Sequence, residues 1–290
     1  MRTGVIGLGA MGMPIAANLH QAGYLAAAWN RTRAKAEAFA RQTGAAIAST
    51  PVELATQCEL ILISVSADQD LLEVIDALLS GLAPGSVVVD TSTVSAQTAR
   101  QVAQQLARKG VHFLDAPVTG GVEGAKSAKL TMMVGGDAVV LERVRPTLEA
   151  IVQRIVHMGP AGSGQMTKAT NQIMAAGVNQ AVTEALAFAK AAGLSLDKVI
   201  EAVGGGAAGN WFLSHRGPTM VRDNFTPGFR LALHHKDLSI CKQMASDLGA
   251  RLPVIEMTLI HYQRLMETGY GDEDISALFR LKQKLFEGEP

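Results

Sequence analysis

The first twelve residues, MRTGVIGLGAMG, hold the strongest constraint on how this chain can fold. Gly7, Gly9 and Gly12 follow a short apolar run. They open a helix-patterned segment from about Met11 to Ala22, which Gly23 closes. Strand, tight turn and helix must therefore meet at close quarters, and each glycine has its own steric reason. Gly7 permits the turn, Gly9 leaves room for a ligand's phosphates, and Gly12 lets the helix pack on the strand. The free N–H groups and the positive dipole end at the helix start favour an anion. The spacing predicts a dinucleotide pyrophosphate held by Gly7, Leu8, Gly9, Ala10, Met11 and Gly12, against the blander alternative of a purely structural turn.

Beyond that turn, short apolar runs alternate with helical patterns as far as Gly159. LAAAWN, CELILISVS, GSVVVDTST, VHFLDAPV, KLTMMVGG and RIVHMG read as strands, while TRAKAEAFARQ, DQDLLEVIDALLSGL, SAQTARQVAQQLARKG and VLERVRPTLEAI read as helices. Such alternation predicts a parallel, doubly wound sheet. After Gly162 the strand signals stop. No proline interrupts the stretch from Gly164 to Ala192, which predicts one helix about 44 Å long at 1.5 Å per residue. Helices near 195–203, 210–223, 234–248, 253–267 and 273–286 follow. The expected architecture is an α/β Rossmann-type domain over residues 1–162, then an all-α domain over 163–290 built on the long connecting helix.

Charge and composition exclude several classes. Twenty-six basic and 26 acidic residues balance, and aromatics make up 4% of the chain, so no nucleic-acid partner is expected. No uninterrupted apolar run of about 18 residues occurs, so no membrane span is expected. Cys58 and Cys241 stand far apart and in no metal-ligand spacing. They imply neither a disulfide framework nor a metal site, and with no signal layout at the N-terminus they point to the cytoplasm.

The end of the second strand bears on which dinucleotide is bound. NAD-preferring sites place an acid there for the ribose 2′-OH. Here the stretch is WNRTRAK, with no acid. The Arg31 guanidinium can pair with a 2′-phosphate, and Asn30 and Thr32 can donate to it. NADP(H) is expected over NAD(H). Solvated residues at a helix start are the alternative, although cations there oppose the dipole.

The long helix raises a different question. Between Arg154 and Glu184, Lys168 is the only formally charged residue. Asn171 and Gln172 follow at i+3 and i+4, on the same face. An isolated buried ammonium is costly unless it meets an anion or donates a proton; a lysine reaching to solvent is the rival reading. The strand-end segment LDAPVTGG offers Thr119 beside Gly120 and Gly121, a hydroxyl and two unhindered amides suited to an anion, or else an ordinary turn. Lys236 and Asp237 adjoin at another helix start, where a solvated charge pair is the usual reading.

Taken in order, GVIGLGAMGMPIAANLHQAG, DAPVTGGVEGAKSAKLTMMVGG, GSGQMTKATNQ and LHHKDL resemble the β-hydroxyacid dehydrogenases over nearly the whole chain. The resemblance implies a Rossmann domain and a helical domain that forms homodimers or homotetramers, with no metal. It implies an NADPH-dependent reductase of small aldehyde acids such as glyoxylate or succinic semialdehyde. Lys168 matches the family's catalytic lysine, and Thr119, Gly120 and Gly121 match its substrate-binding Ser-Gly-Gly. Asn171, Gln172, Phe229 and Asp237 fall at substrate positions, and Val65, Thr93 and Lys236 at cofactor positions. The chain departs from the pattern at Thr119 for serine, at Gln172 for asparagine, and at Ala128-Lys129, where a glycine-bearing turn is usual. Oxidation of 3-hydroxyisobutyrate or reduction of tartronate semialdehyde are sister activities. Oxidative decarboxylation of the 6-phosphogluconate type suits so short a chain poorly, imine reductases lack the lysine, and a non-catalytic NADP-binding module is the alternative from another class.

Overall fold

The chain begins with strand β1 (Thr3–Ile6), all four residues buried, because helices cover both faces of a parallel sheet. Helix α1 (Gly12–Gln21), β2 (Leu25–Trp29), α2 (Arg33–Thr43), α3 (Pro51–Gln57), β3 (Leu60–Ile63), α4 (Asp68–Leu78), β4 (Val87–Asp90), α5 (Ala96–Ala107) and β5 (His112–Asp115) follow. These strands lie side by side in the order β2-β1-β3-β4-β5, every pair parallel. That is the doubly wound α/β sheet. The structure is a computed structural model and describes residues 1–287.

Past β5 the direction reverses. The short strand β6 (Val118–Thr119) leads into helix α6 (Gly121–Lys126), then β7 (Leu130–Gly135), α7 (Ala138–Leu148) and β8 (Val152–Gly159). Strand β7 runs antiparallel to both β5 and β6, and β8 runs parallel to β7. The six residues of α6 span only about 9 Å, too little for a crossover across the sheet, so the chain turns back on itself. The sequence carries no sign of this reversal; α3 and α6 lie where no element is expected, and the single strand expected over VHFLDAPV is divided into β5 and β6.

The turn after α6 explains one departure from the family pattern. Ala128 has φ +54, the left-handed region that glycine occupies without cost. Alanine there carries a strain of roughly 1–2 kcal/mol.

Helix α8 (Ser163–Ala191) has 29 residues, close to the expected 164–192. Helices α9 (Leu196–Gly204), α10 (Trp211–Val221), α11 (Leu231–Asp247) and α12 (Pro253–Glu267) follow. The helix expected over 273–286 is broken into a single 3-10 turn at Ile275–Ala277 and α13 (Leu278–Gln283). The chain folds as two compact units, Met1–Lys168 and the described residues from Ala169 onward. The last three residues of the helical domain expected over 163–290 lie outside the described residues. Among the described residues no helix is long and apolar enough to cross a membrane.

Candidate active site

The glycine loop after β1 shows why only glycine serves at two of its three positions. Gly7 has φ +92, and a Cβ there would stand 2.1 Å from the Ser64 carbonyl oxygen. A Cβ on Gly12 would stand 1.8 Å from the Gly7 oxygen. Gly9 differs, since a Cβ there would meet nothing within 4 Å. Gly7 and Gly12 thus close the turn against the protein, while the surface over Gly9 stays open to a phosphate. That combination fits a dinucleotide pyrophosphate.

Asn30 supports this loop. Its Oδ1 accepts from the Leu8 N–H at 2.8 Å, and its Nδ2 donates to the Thr32 carbonyl at 3.0 Å. Asn30 thereby braces the loop, and the second N–H of its Nδ2 is the one that a 2′-phosphate would take. Thr32 precedes α2 without a capping hydrogen bond from its side chain. Arg31 is 74% exposed, and its Nη1 lies 2.8 Å from Asp70 and 3.8 Å from Glu73. The acid absent from the end of β2 is therefore supplied by α4, a partnership hidden by 39 residues of separation.

Four segments meet around the start of α8. Val65, after β3, donates its N–H to Ser92 Oγ at 2.8 Å. Thr93 is half-buried in the turn after β4, between Ser92 and Val94. Gln165, in the first turn of α8, accepts from the Val94 N–H at 3.2 Å and donates to the Ser92 carbonyl at 2.9 Å. Asp115, at the end of β5, accepts from the N–H groups of Gly162 and Gln165 at 2.7 and 2.9 Å. Lys168 is 8% exposed, and its Nζ donates to the Val118 carbonyl at 2.9 Å. The ammonium thus stands at the strand end that continues into Thr119, Gly120 and Gly121. Gly120 (φ +125) and Gly121 (φ +64) are exposed and begin α6. Strand ends of such sheets are where ligands sit.

Asp90 lies beside this cluster at the end of β4, with no exposure. Its Oδ1 accepts from the Ser92 N–H at 3.0 Å, and its Oδ2 has no hydrogen-bond partner among the described residues. Burial pushes its carboxyl up to about 7; Ser92 pulls it back, and the charges of Asp115 and Asp68 add to the rise. Burial also raises Asp115, against the helix-start N–H groups that hold it charged. The folded chain therefore holds the Asp90 proton more tightly than the unfolded chain, whose carboxyl has its ordinary value of 3.8. Stability is lost as pH rises from about 4 to about 7, then levels off. The substitution Asp90→Asn is neutral throughout. It should be more stable than wild type at pH 8, by a few kcal/mol at most, with the advantage gone near pH 4. Denaturant titrations at both pH values test this, and a pH-independent difference would contradict it.

The second unit gathers another polar set. Asn171 Nδ2 donates to Gln172 Oε1 at 2.8 Å, and Gln172 Nε2 donates to Asp237 at 2.6 Å. Lys236 Nζ lies 2.7 Å from the other Asp237 oxygen. Asp237 is buried, so this pair is more than a solvated surface contact. His234, fully buried, bridges the Tyr262 hydroxyl at 3.0 Å and the Gln172 carbonyl at 3.4 Å, and Asn179 donates to the same hydroxyl at 2.8 Å. Phe229 packs its ring against His234, with centroids 5.1 Å apart. Its backbone N–H donates to Asp274, which Arg216 also contacts at 3.2 Å. Sequence reasoning missed His234, Tyr262, Asn179 and Asp274, whose roles depend on partners far away in the chain. Among the described residues no cluster of three or more His, Cys, Asp or Glu side chains could hold a metal ion.

Comparison with known proteins agrees with these motifs. A family model described as the NAD binding domain of 6-phosphogluconate dehydrogenase matches residues 2–159. Another, described as NAD-binding of NADP-dependent 3-hydroxyisobutyrate dehydrogenase, matches residues 162–282. The 2-hydroxy-3-oxopropionate reductase of Escherichia coli is 37% identical over 87% of each chain. The NAD-dependent L-serine dehydrogenase of Pseudomonas aeruginosa is 33% identical over 97% of this chain and 96% of its own. The structure of Mycobacterium tuberculosis 3-hydroxyisobutyrate dehydrogenase with L-serine superposes with a TM-score of 0.88 at 30% identity, covering 96% of this chain and 98% of that one. With both halves matched and the likeness running end to end, the chain belongs to the β-hydroxyacid dehydrogenase family and is an NAD(P)-dependent oxidoreductase acting on CH–OH groups.

Proposed function

We propose that this protein reduces small aldehyde acids of the glyoxylate or succinic semialdehyde type to hydroxy acids, with NADPH as coenzyme and Lys168 as general acid. The position of Lys168 supports this function: it is nearly buried, and its Nζ donates to the Val118 carbonyl, next to Thr119. A nearly buried ammonium at a strand end suits a site where negative charge develops during reaction.

Gly7, Leu8, Gly9, Ala10, Met11 and Gly12 would hold the pyrophosphate, Arg31 and Thr32 the 2′-phosphate, and Val65, Thr93 and Lys236 the nicotinamide half. The nicotinamide supplies hydride when bound. As the substrate carbonyl is reduced, its oxygen gains charge, and Lys168 stabilises that oxygen and donates a proton to it. Thr119 and the Gly120 and Gly121 amides take the substrate carboxylate. Asn171 and Gln172 orient substrate or lysine from the next turn of α8, with Phe229 and Asp237 as further substrate contacts. Domain roles follow: 1–162 for the coenzyme, 163–290 for substrate and self-association, in the cytoplasm. Exposed Met174, Phe188, Leu248 and Ile260, between 55 and 72% accessible, favour a homodimer or homotetramer through the helical domain.

Reduction of 2-hydroxy-3-oxopropionate is the second reading, favoured by the Escherichia coli relative that bears that name. A steady-state screen of glyoxylate, succinic semialdehyde and 2-hydroxy-3-oxopropionate with each coenzyme tests both readings. Turnover of 2-hydroxy-3-oxopropionate far above the other two would select the second.

A further inference from the structure

The start of α8 is fastened to the sheet by a side chain that lies far away in sequence. Ordinary helix caps come from the residue just before the helix. Here the cap is Asp115, which is 47 and 50 residues from the two N–H groups it accepts. Each carboxylate oxygen takes one of them. The approach is close enough to exclude side chains. A Cβ on Gly135 would stand 2.5 Å from the Asp115 carboxylate, and one on Gly164 would stand 2.5 Å from its backbone oxygen. A buried carboxylate is an expensive way to end a helix, because a serine would satisfy the same donors with less desolvation. What the carboxylate adds is rigidity, through two charge-assisted bonds from one residue at a strand end.

A second fastening lies in the same turn. Gln165 is 1% exposed and reaches the turn after β4 with both ends of its carboxamide, to Val94 and Ser92. Lys168 follows three residues later, about 4.5 Å further along the axis. Two independent anchors from β4 and β5 therefore fix the helical turn that aims the ammonium at Val118.

We infer that Asp115 and Gln165 are positioning residues for Lys168, acting on catalysis through the registration of α8 against the strand ends. The inference rests on Lys168 being the general acid. Neither residue contacts the glycine loop, whose own anchors are the Trp29 carbonyl and Asn30. Coenzyme affinity should therefore be insensitive to Asp115, whereas Gln165 also holds the Ser92–Val94 turn that carries Thr93 and can change it modestly. A displacement of about 1 Å in a catalytic group can cost 10²-fold in rate. Asn in place of Asp115 keeps the shape but offers one accepting oxygen for two donors.

The test compares Asp115→Asn, Gln165→Met and Lys168→Ala in the full-length protein, well below each variant's melting temperature. NADPH binding is read by fluorescence titration, and kcat by NADPH oxidation with glyoxylate and with succinic semialdehyde. The expected result is a fall in kcat of about 10–100-fold for Asp115→Asn and Gln165→Met, with the NADPH Kd of Asp115→Asn within twofold of wild type and that of Gln165→Met changed far less than its kcat. A lower melting temperature with kcat within twofold would make the pair a structural cap only and overturn the inference. If Asp115→Asn fails to fold, Gln165→Met decides, since it retains length and helix propensity. Lys168→Ala separates the two levels. Full turnover in that variant removes the general-acid assignment and this inference with it. Loss there alone, with both anchors dispensable, removes only the inference.

Discussion

Replacing Lys168 with alanine is expected to lower kcat by about 10²–10⁴-fold while NADPH still binds. That loss corresponds to roughly 3–5 kcal/mol of transition-state stabilisation. The size follows from what the side chain contributes. The ammonium is both a proton donor and a positive charge held in a poorly solvated place, at 8% exposure. Alanine supplies neither, yet it is the best helix former and should leave α8 intact. The Val118 carbonyl loses one donor, a modest structural cost of about 1 kcal/mol. Arginine should not restore the rate, because its guanidinium does not release a proton near neutral pH. Under the proposed assignment, the reaction uses lysine's flexible stem and single donating nitrogen. Circular dichroism and NADPH titration establish that the variant is folded and loaded, and then kcat is compared. Nearly normal turnover in such a protein would refute the assignment.

Replacing Arg31 with glutamate is expected to raise the KM for NADPH by roughly 10–100-fold and to leave that for NADH within a few-fold. The magnitude is that of charge-assisted hydrogen bonds to a phosphate, about 1.5–3 kcal/mol. The pairing of Arg31 with Asp70 at 2.8 Å does not stand in the way. An exposed ion pair contributes only about 0–1 kcal/mol, so a phosphate dianion displaces Asp70 readily. Glutamate would join Asp70 and Glu73 in a negative patch that repels the 2′-phosphate but can accept from a 2′-hydroxyl. Equal changes in the two KM values would detach Arg31 from coenzyme choice.

The parts of this fold that could be read in the sequence are those with local causes. The glycine loop is legible because clashes within a few residues dictate it, as the Cβ positions at Gly7 and Gly12 show. Helix α8 is legible because its 29 residues carry no proline and one early lysine. The illegible parts have distant causes. Nothing near Gly162 announces that its N–H will meet Asp115, nor does Arg31 announce Asp70. The reversal at β7 depends on α6 being too short to cross the sheet, and the Gly-Gly turn that starts α6 looks the same in sequence whether a helix or a loop follows. His234 reads as one of two adjacent histidines; its place between Tyr262 and Gln172 exists only once α8, α11 and α12 have packed. Local motifs thus point to the chemistry, and the long-range polar contacts that fix its geometry require the folded chain.

If the proposed function holds, a carboxylate-bearing aldehyde is reduced at the expense of NADPH. The most direct measurement is NADPH consumption by the wild-type protein with glyoxylate, succinic semialdehyde and 2-hydroxy-3-oxopropionate. Acetaldehyde, which has the carbonyl and no carboxylate, serves as the control, and NADH is run in parallel. The expected result is saturable oxidation with at least one of the three acids, a kcat/KM higher for NADPH than for NADH, and little turnover of acetaldehyde. Protein that binds NADPH yet reduces none of the acids with either coenzyme, or that reduces acetaldehyde equally well, would contradict it.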